Sequence, residues 1–372
     1  MKFYDKYIEA TLIDRPNRFV MILDYQGKEI RAYVPNTGRM EEFLNKDAIF
    51  YLAYHPSEKF DYKVVATRYQ DHLVFLDTVK VNKVFYELLS AGKIPEFSNI
   101  KIIKREVPYK NSRIDFLLTF EDETQAFVEV KSCTLIHNKV AMFPDAPTER
   151  GKKHIDELNE NEFPEIKKYV YFLITNFGAE KFYPNYHVDF EYARSFIAAE
   201  NVHFCAGKIN LPDPVSLDLD SFTPVSLDYE KTIENTINKG AYLLLLENKD
   251  EQDIEIGKLG QIKFHTGFYV YVGSGISNLE KRVKHHQLKK KSYHYHIDYV
   301  TPDCMKIKKV FLIRSAKKKE SEIAKSVEKV CDYYVKDFGC SDTKENSHLF
   351  FFEKNPLRND KFYSIILNFR TE

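Results

Sequence analysis

Two apolar runs near the middle of the chain predict a β-hairpin. Residues 114–120 and 125–131 are rich in β-branched and aromatic side chains, and they flank a polar segment at residues 121–124. This pattern is typical of two antiparallel strands joined by a turn. Glu129 and Lys131 are two residues apart, so they lie on one face of the second strand. An acid and a base are therefore placed side by side among apolar neighbours.

The position of Asp115 relative to this pair depends on the length of the turn. If residues 121–124 all belong to the turn, Asp115 pairs with Val130 and points away from Glu129 and Lys131, because a slip of one residue exchanges the two faces. A three-residue loop, or a bulge, sets Asp115 opposite Glu129 instead. A metal site requires the second register.

The first 80 residues alternate short strand-like runs with polar turns. The candidate strands cover residues 8–13, 18–25, 29–34, 48–54, 63–68 and 73–76. This spacing predicts a small barrel or sandwich, and an oligonucleotide-binding (OB) barrel is one such form. Arginines beside aromatic residues would supply phosphate contacts and base stacking, and solvated arginines around an ordinary core are the alternative: Arg15, Arg18, Arg31 and Arg39.

The next 150 residues mix helical and extended patterns. A helix is predicted over residues 83–93 and a second over 149–159, where Thr148 provides an N-cap. A buried strand is predicted over residues 170–175. Strand, hairpin, helix and strand in this order predict an α/β core over residues 81–228. Arg150 and Lys153 on the second helix are candidate nucleic-acid contacts.

A change of composition marks a domain boundary after this core. Residues 207–238 contain three prolines among repeated Ser, Leu and Asp, a composition typical of a linker. We place the linker at residues 229–239. Residues 215–219 have the alternative of forming an edge strand of the preceding domain.

The last third of the chain predicts a second α+β domain, over residues 240–372. Two strands that carry tyrosines, at residues 240–246 and 267–274, precede a helix over 278–290. From residue 280 to residue 296, six Lys or Arg oppose one Glu. This makes a phosphate-facing patch that includes Lys284 and Lys289.

A candidate metal site follows this helix. Residues 294–300 alternate as in a strand, which puts His294, His296 and Asp298 on one face. Such a trio could bind a metal, and a solvated or hydrogen-bonded polar face is the alternative that we favour. Another helix is predicted to start near Glu320.

Charge and composition exclude several classes of protein. Fifty-five basic and fifty-five acidic residues cancel, so nucleic-acid binding has to use local patches rather than a global field. Five cysteines without paired spacing are typical of a reducing cytoplasm. The N-terminus lacks an apolar signal segment and no run of eighteen apolar residues occurs, so we expect a soluble cytoplasmic protein without a membrane span.

Six motifs in the first 228 residues resemble the sugar fermentation stimulation protein (SfsA) family: RPNRF at 15–19, PNTGRM at 35–40, SRIDF at 112–116, VEVK at 128–131, FPDA at 143–146 and TERG at 148–151 with His154. The resemblance implies a DNA-binding protein with an N-terminal barrel and a core similar to PD-(D/E)xK nucleases. In such a core Asp115 and Glu129 take the metal positions and Lys131 the water position, with Mg²⁺ or Mn²⁺ as the cofactor.

Residues from about 238 to 355 resemble a small uncharacterised family related to GIY-YIG endonucleases. The marks are GAY at 240–242, GKLG at 257–260, YVYVGS at 269–274, HIDY at 296–299 and SHLF at 347–350. The resemblance implies that Tyr242 and Tyr271 orient a nucleophilic water, Arg282 stabilises phosphate charge with His285 nearby, and Glu322 holds a metal. Near Asp342 the chain has Thr343 and Glu345 where this family is expected to carry cysteines, so no redox or zinc role is expected there.

Three hypotheses about function follow. The first is a divalent-metal-dependent nuclease acting on DNA, with RNA as an alternative substrate. The second is a regulator that binds DNA without cleaving it. The third, a sugar-metabolic enzyme, has no nucleotide-binding loop or sugar-specific carboxylate pair behind it. We favour the nuclease, because carboxylates repel phosphate unless a cation lies between them.

Overall fold

The computed structural model describes residues 1–110, 112–160, 162–301, 303–340 and 345–372. The chain forms two compact units, Met1–Thr232 and Ile233–Glu372. Both combine helices with strands, so the mixed α+β multidomain class expected from the sequence is confirmed.

The N-terminal strands form a closed barrel. They are β1 (Tyr7–Asn17), β2 (Val20–Tyr25), β3 (Lys28–Tyr33), β4 (Ile49–Tyr54), β5 (Tyr62–Tyr69) and β6 (His72–Phe75). Antiparallel pairs follow the order β3-β2-β1-β4-β5, a parallel pair of β3 with β5 closes the ring, and β6 pairs with β5. This closed five-stranded barrel fits the OB fold expected from the sequence.

Strand β4 shows why the barrel is joined firmly to the rest of its unit. Phe50 and Leu52 point into the barrel core, whereas Tyr51 and Ala53 pack in the core of the neighbouring sheet. Because side chains alternate along a strand, one strand supplies both cores.

The second part of the first unit surrounds a six-stranded sheet. Its elements are α1 (Val81–Ser90), β7 (Ile100–Tyr109), β8 (Ser112–Phe120), β9 (Gln125–Cys133), β10 (Ile136–His137), β11 (Val140–Phe143), α2 (Glu149–Asn159), β12 (Lys167–Ile174), β13 (Lys181–Pro184), α3 (Phe190–Ala198), β14 (His203–Asp213), β15 (Ser216–Pro224), β16 (Ser226–Leu227) and α4 (Tyr229–Asn235). The sheet order is β15-β14-β12-β9-β8-β7, with β9, β12 and β14 parallel. A smaller sheet has the order β10-β11-β13-β16.

The six-stranded sheet is covered on both faces. Helix α1 packs against one face through Val84, Phe85 and Leu88. Helices α2 and α3 pack against the other. Strand β12 lies between these layers, which explains its continuous apolar run, since a parallel strand covered on both faces needs no polar alternation.

The proline-rich segment is not a linker but a pair of strands. Strands β14 and β15 pair antiparallel around a turn that contains Pro214, so the edge-strand alternative describes this segment. Along the chain, the division between the two units falls between Thr232 and Ile233, in helix α4.

The second unit is built on a five-stranded antiparallel sheet of order β21-β17-β20-β23-β22. Its elements are β17 (Gly240–Asn248), β18 (Gln252–Glu255), β19 (Gln261–Phe264), β20 (Gly267–Gly275), α5 (Leu279–Gln287), β21 (Lys306–Arg314), α6 (Glu320–Glu328), β22 (Tyr333–Tyr334), β23 (Leu349–Phe352) and α7 (Asp360–Thr371). Strands β18 and β19 form a separate hairpin. Asn278 caps α5 by accepting a hydrogen bond from the Lys281 backbone.

The strand predicted over residues 294–300 is wrong. His296–Tyr299 is a 3-10 helix. The Asp298 carboxylate accepts hydrogen bonds from the backbone N–H groups of His294 and Tyr295, at 3.1 and 3.0 Å. This local side-chain bonding bends the chain into a turn and prevents an extended conformation.

Among the described residues, no helix is both long and apolar enough to cross a membrane.

Candidate functional site

The hairpin of β8 and β9 has a three-residue loop. The Phe120 N–H donates to the Thr124 carbonyl at 2.9 Å, and Phe116 pairs with Val128 further along the ladder. Glu123 adopts a left-handed conformation, with φ of 64°, which closes the loop. Continued by one residue, this register sets Asp115 opposite Glu129.

Asp115 accepts hydrogen bonds where the backbone ladder between β8 and β9 stops. The Val130 N–H donates to its Oδ2 at 2.8 Å, and Asn82 on α1 donates to its Oδ1 at 2.5 Å. Burial raises the pKa of Asp115, and the Glu129 charge raises it further, to about 6. The two carboxylates are therefore close enough to repel each other.

One oxygen of Glu129 accepts hydrogen bonds from two side chains, Lys131 and His154. Its Oε1 lies 2.6 Å from Lys131 Nζ and 2.5 Å from His154 Nδ1. Burial alone would raise the pKa of Glu129, but the hydrogen bond from His154 and the charge of Lys131 outweigh it and lower the pKa to about 2. Its second oxygen, Oε2, is buried and has no hydrogen-bond partner.

This donor set fits a divalent cation. Two carboxylates with a free, buried oxygen are the hard ligands that Mg²⁺ and Mn²⁺ prefer. An unpaired buried oxygen is costly, and a cation would also relieve the repulsion that raises the pKa of Asp115. Asp115 and Glu129 are the residues that would hold it.

Helix α2 borders the site on one side. His154 lies on this helix, and Arg150 Nε donates to its Nε2 at 3.4 Å. Arg150, Lys153 and His154 line an open cleft of about 750 Å³, together with Lys110 and Arg113. Sequence reasoning assigned His154 no role. Its spacing of four residues from Arg150 could have placed both on one helix face.

The predicted nucleic-acid arginines of the barrel have different surroundings. Arg15 donates to the backbone carbonyls of Arg18, Asn36 and Gly38 at 3.0, 3.1 and 2.9 Å. Its guanidinium therefore holds the loop that follows β3 and is not a free phosphate ligand. Arg18 and Arg39 are exposed, and Arg18 stacks on Phe19 at 4.7 Å.

A groove of about 380 Å³ runs between the barrel and the sheet within the first unit. Arg18 and Gly38 border it on the barrel side, and Ser132, next to Lys131, borders it on the sheet side. A Cβ at Gly38 would collide with the Asp145 carboxylate, so only glycine fits where the loop meets the sheet. The groove connects exposed Arg18 of the barrel with the strand that carries the carboxylate site.

The two predicted tyrosines of the second unit lie together on β17 and β20. Their ring centroids are 6.2 Å apart, and both rings are buried. Tyr242 pairs with Gly273, and a Cβ at Gly273 would collide with the Tyr242 hydroxyl oxygen. Glycine at this position therefore leaves the space that the hydroxyl occupies. Burial raises the pKa of both tyrosines.

Helix α5 brings His286, rather than the predicted His285, to the tyrosine. The Tyr242 hydroxyl lies 2.7 Å from His286 Nε2. His285 instead contacts Asp298 at 3.2 Å. Arg282 is four residues before His286, on the same helix face, and its guanidinium stacks on Tyr295 at 4.3 Å.

The carboxylate that faces the tyrosines is Glu320 and not the predicted Glu322. Glu322 is exposed and pairs with Lys319 at 3.1 Å. Burial would raise the pKa of Glu320, but hydrogen bonds with His348 and Ser274 and the Arg282 charge lower it overall. The Glu320 charge also raises the pKa of Tyr271. Side chains two positions apart on a helix point about 200° apart, so Glu320 and Glu322 cannot both face the sheet.

The remaining predicted residues of this unit lie at its surface or outside the described chain. Lys284 and Lys289 are exposed on and just after α5. Asp342 and Thr343 lie outside the described residues. Glu345 Oε2 is 3.9 Å from His348 Nε2.

Three family models match the chain. The SfsA N-terminal OB domain matches residues 13–76, the sugar fermentation stimulation protein RE domain matches residues 80–211, and a domain of unknown function, DUF123, matches residues 241–370.

Relatives and a solved structure match from about half to three fifths of the chain. A sugar fermentation stimulation protein homolog of Desulforamulus reducens is 39% identical over 179 residues, which is 48% of this chain and 74% of that protein. A homolog of Clostridium perfringens is 35% identical over 59% of this chain and 100% of that protein. The structure of Pyrococcus furiosus SfsA in complex with Ca²⁺ has a TM-score of 0.55 and 26% identity, over 61% of this chain and 99% of that one.

Proposed function

The chain belongs to the sugar fermentation stimulation protein family, and from this premise we propose that it is a divalent-metal-dependent nuclease that hydrolyses phosphodiester bonds in DNA. The observation that carries the proposal is the register of β8 and β9. It brings Asp115, Glu129 and Lys131 together and leaves Glu129 Oε2 buried without a partner. P. furiosus SfsA forms a complex with Ca²⁺, which supports a site for hard cations.

Each residue of the carboxylate site has a distinct role in this proposal. Asp115 and Glu129 would hold Mg²⁺ or Mn²⁺, which supplies Lewis-acid stabilisation of the charge that develops on the phosphate. The Lys131 ammonium, fixed by Glu129 Oε1 at 2.6 Å, orients the attacking water. His154 bonds the same oxygen and so keeps Oε2 directed away from Lys131.

The surroundings of the site favour a polyanionic substrate. Four Lys or Arg, among them Arg113, Arg150 and Lys153, line the cleft beside His154 against two Glu, and this local excess of positive charge attracts phosphates in a chain whose net charge is zero. Exposed Arg18 and Arg39 on the barrel add contacts along a strand of nucleic acid. We propose DNA as the substrate, and the cleavage assay described below includes RNA for comparison.

The second unit is proposed as a second hydrolytic centre. Tyr242, Tyr271, Arg282 and Glu320 surround one position with hydroxyls, a cation and a carboxylate. In this centre the tyrosines would orient water, Arg282 would stabilise phosphate charge, and Glu320 would hold a divalent metal ion.

The test uses the purified full chain with end-labelled single-stranded DNA, double-stranded DNA and RNA, each with Mg²⁺, Mn²⁺ or EDTA. We expect metal-dependent cleavage of DNA. Glu129→Ala and Lys131→Ala should lower the rate at the first site by about 10²-fold or more while binding is retained, because each removes a group used in the reaction. Arg282→Ala measures how much of the DNA cleavage is due to the second unit.

Lys139→Ala is the matched control for Lys131→Ala, since Lys139 only pairs with exposed Glu180 at 2.7 Å. It should cleave like the unmodified chain. Cleavage of none of the three nucleic acids, with binding unaffected by either site substitution, would instead favour a DNA-binding regulator without turnover.

A further inference from the structure

The buried carboxylate of Asp298 is the centre of a hydrogen-bond network in the second unit. Its Oδ1 lies 3.0 Å from His286 Nδ1 and 3.4 Å from Lys291 Nζ. Its Oδ2 accepts from His285 Nε2 at 3.2 Å and from the backbone N–H groups of His294 and Tyr295. Five donors therefore surround a group with about four lone-pair positions.

This arrangement decides between a metal site and a hydrogen-bonded network. The ligand atoms of His285, His286 and Asp298 lie within 4.8 Å of one another, which is close enough to share an ion. However, the oxygens of Asp298 are already fully used, and the Lys291 side chain, only 1% exposed, adds a positive charge at 3.4 Å. A second cation beside this ammonium would be repelled. The trio is therefore a hydrogen-bonded network.

The network fixes the direction of the hydrogen bond to Tyr242. Because Asp298 accepts from His286 Nδ1, the proton of the neutral imidazole is on Nδ1 and Nε2 carries the lone pair. The Tyr242 hydroxyl, 2.7 Å from Nε2, must then be the donor. Tyr242, His286 and Asp298 are at most 1% exposed, so bulk water does not compete for the bonds of His286 to Tyr242 and Asp298.

We propose that Asp298 and His286 are positioning residues that set the polarity of the Tyr242 hydroxyl, so that its oxygen accepts a proton from the attacking water in the second unit. The inference rests on the proposed hydrolytic function of that unit. It assigns to Asp298 a role different from the metal ligand considered for it.

The proposed step is balanced along the chain of hydrogen bonds. An O–H bond of the water breaks as its proton moves to the Tyr242 oxygen, while the Tyr242 O–H bond breaks and its proton moves to His286 Nε2. The water oxygen forms a bond to phosphorus and the bond from phosphorus to the leaving oxygen breaks. Asp298 stabilises the transient imidazolium, and the proton then returns from His286 Nε2 to the Tyr242 oxygen as Tyr242 passes the proton that it took from the water to the leaving oxygen.

Burial agrees with a neutral imidazole on His286 and a neutral hydroxyl on Tyr242 at rest. It lowers the pKa of His286 and raises the pKa of Tyr242. Neither group is therefore charged before the water attacks, and the proton moves only as the new bond forms.

The first measurement does not depend on activity. In ¹⁵N-histidine NMR spectra of the full chain, the signal that disappears in His286→Gln identifies His286. We expect its Nδ1 to be protonated and its Nε2 unprotonated, and we expect Asp298→Asn to change this tautomer. A proton on Nε2 in the unmodified chain would overturn the proposal.

The second measurement is cleavage by the second unit alone, in a Lys131→Ala background. We expect His286→Phe to lower kcat by about 10²-fold with little change in KM, and His286→Gln to recover part of it through an amide oxygen that accepts from Tyr242. Gln287→Ala is the control, because Gln287 follows His286 on helix α5 and is exposed, and it should leave kcat unchanged.

The outcomes separate the two claims. A His286→Phe variant that melts at the same temperature as its background and keeps full kcat overturns the proposed positioning role. If the background variant has no activity, the proposed function of the second unit fails, and the NMR tautomer still decides the direction of the Tyr242 hydrogen bond.

Discussion

The carboxylate site of the first unit and the tyrosine site of the second differ in what they leave unpaired. In the first, Glu129 Oε2 is buried without a partner and Asp115 is destabilised by the neighbouring charge. In the second, Asp298, His286 and Tyr242 form a connected chain of hydrogen bonds. In the proposed function an added cation would complete the first site, whereas the hydrogen-bonded part of the second is complete within the protein.

The comparison is tested most strongly by the two acids of helix α6. Glu320→Ala should lower cleavage by the second unit by about 10²-fold, because it removes the carboxylate that faces the tyrosines. Glu322→Ala, which only breaks the exposed pair with Lys319, is the matched control and should stay within about twofold. Single-turnover rates in the Lys131→Ala background measure both. Equal losses in the two variants would show that the second site is not built around Glu320.

A stability measurement distinguishes the two sites next. Asp115→Asn removes a charge that burial and Glu129 oppose, so the metal-free chain should gain about 1 to 2 kcal/mol at pH 7. Urea unfolding in EDTA measures this gain. Added Ca²⁺ should raise the stability of the unmodified chain but not of Asp115→Asn. A loss of stability in EDTA would mean that Asp115 is held by its hydrogen bonds and needs no cation.

Mild acid should change the stability of the two units in opposite directions. This is the smallest of the expected effects. Asp115 has a folded pKa of about 6 against an ordinary value of 3.8, so the folded first unit binds this proton first and gains stability as the pH falls through that window. Burial lowers the pKa of His286 below 6.5, so the unfolded second unit binds its proton first and the folded unit loses stability below pH 6.5.

Hydrogen exchange at pH 7 and pH 5 resolves this last prediction, since it reports each unit separately and can be corrected for the intrinsic exchange rate. Protection should rise in strands β8 and β9 and fall in helix α5, each by about 1 kcal/mol or less. Parallel changes in both units would contradict the opposite pKa shifts.

Much of the first site follows from the sequence, but its register does not. The apolar runs define both strands of the hairpin, and Glu129 and Lys131 share a face by simple alternation. All four residues from Glu121 to Thr124 are polar, so composition cannot show that Thr124 pairs with Phe120 and leaves a three-residue loop. The left-handed Glu123 makes that choice, and a glutamate carries no signal for it.

The second site was harder to predict, for two reasons. Residues 294–300 alternate like a strand, but the bonds from Asp298 to the backbone override that pattern. Helix α6 does carry a signal in its sequence. Glu320 is three residues before buried Ile323 and four before buried Ala324, so helical spacing puts it, and not Glu322, on the buried face.

Arg15 shows a limit of a different kind. An arginine beside aromatic residues is equally consistent with phosphate binding and with support of a loop. Only the positions of the backbone carbonyls of Arg18, in the turn after β1, and of Asn36 and Gly38, in the loop after β3, show that terminal N–H groups of its guanidinium are used internally.

Because glycine has no side chain, position 273 and position 242, which are far apart in sequence, constrain each other. Any Cβ there would occupy the place of the Tyr242 hydroxyl, so a lineage that keeps tyrosine at 242 has no freedom at 273. A lineage that loses the hydroxyl releases both positions at once. Substitution of this glycine in a relative would therefore indicate that the tyrosine site has been lost, even where the sheet, the helices and the exposed lysines are all preserved.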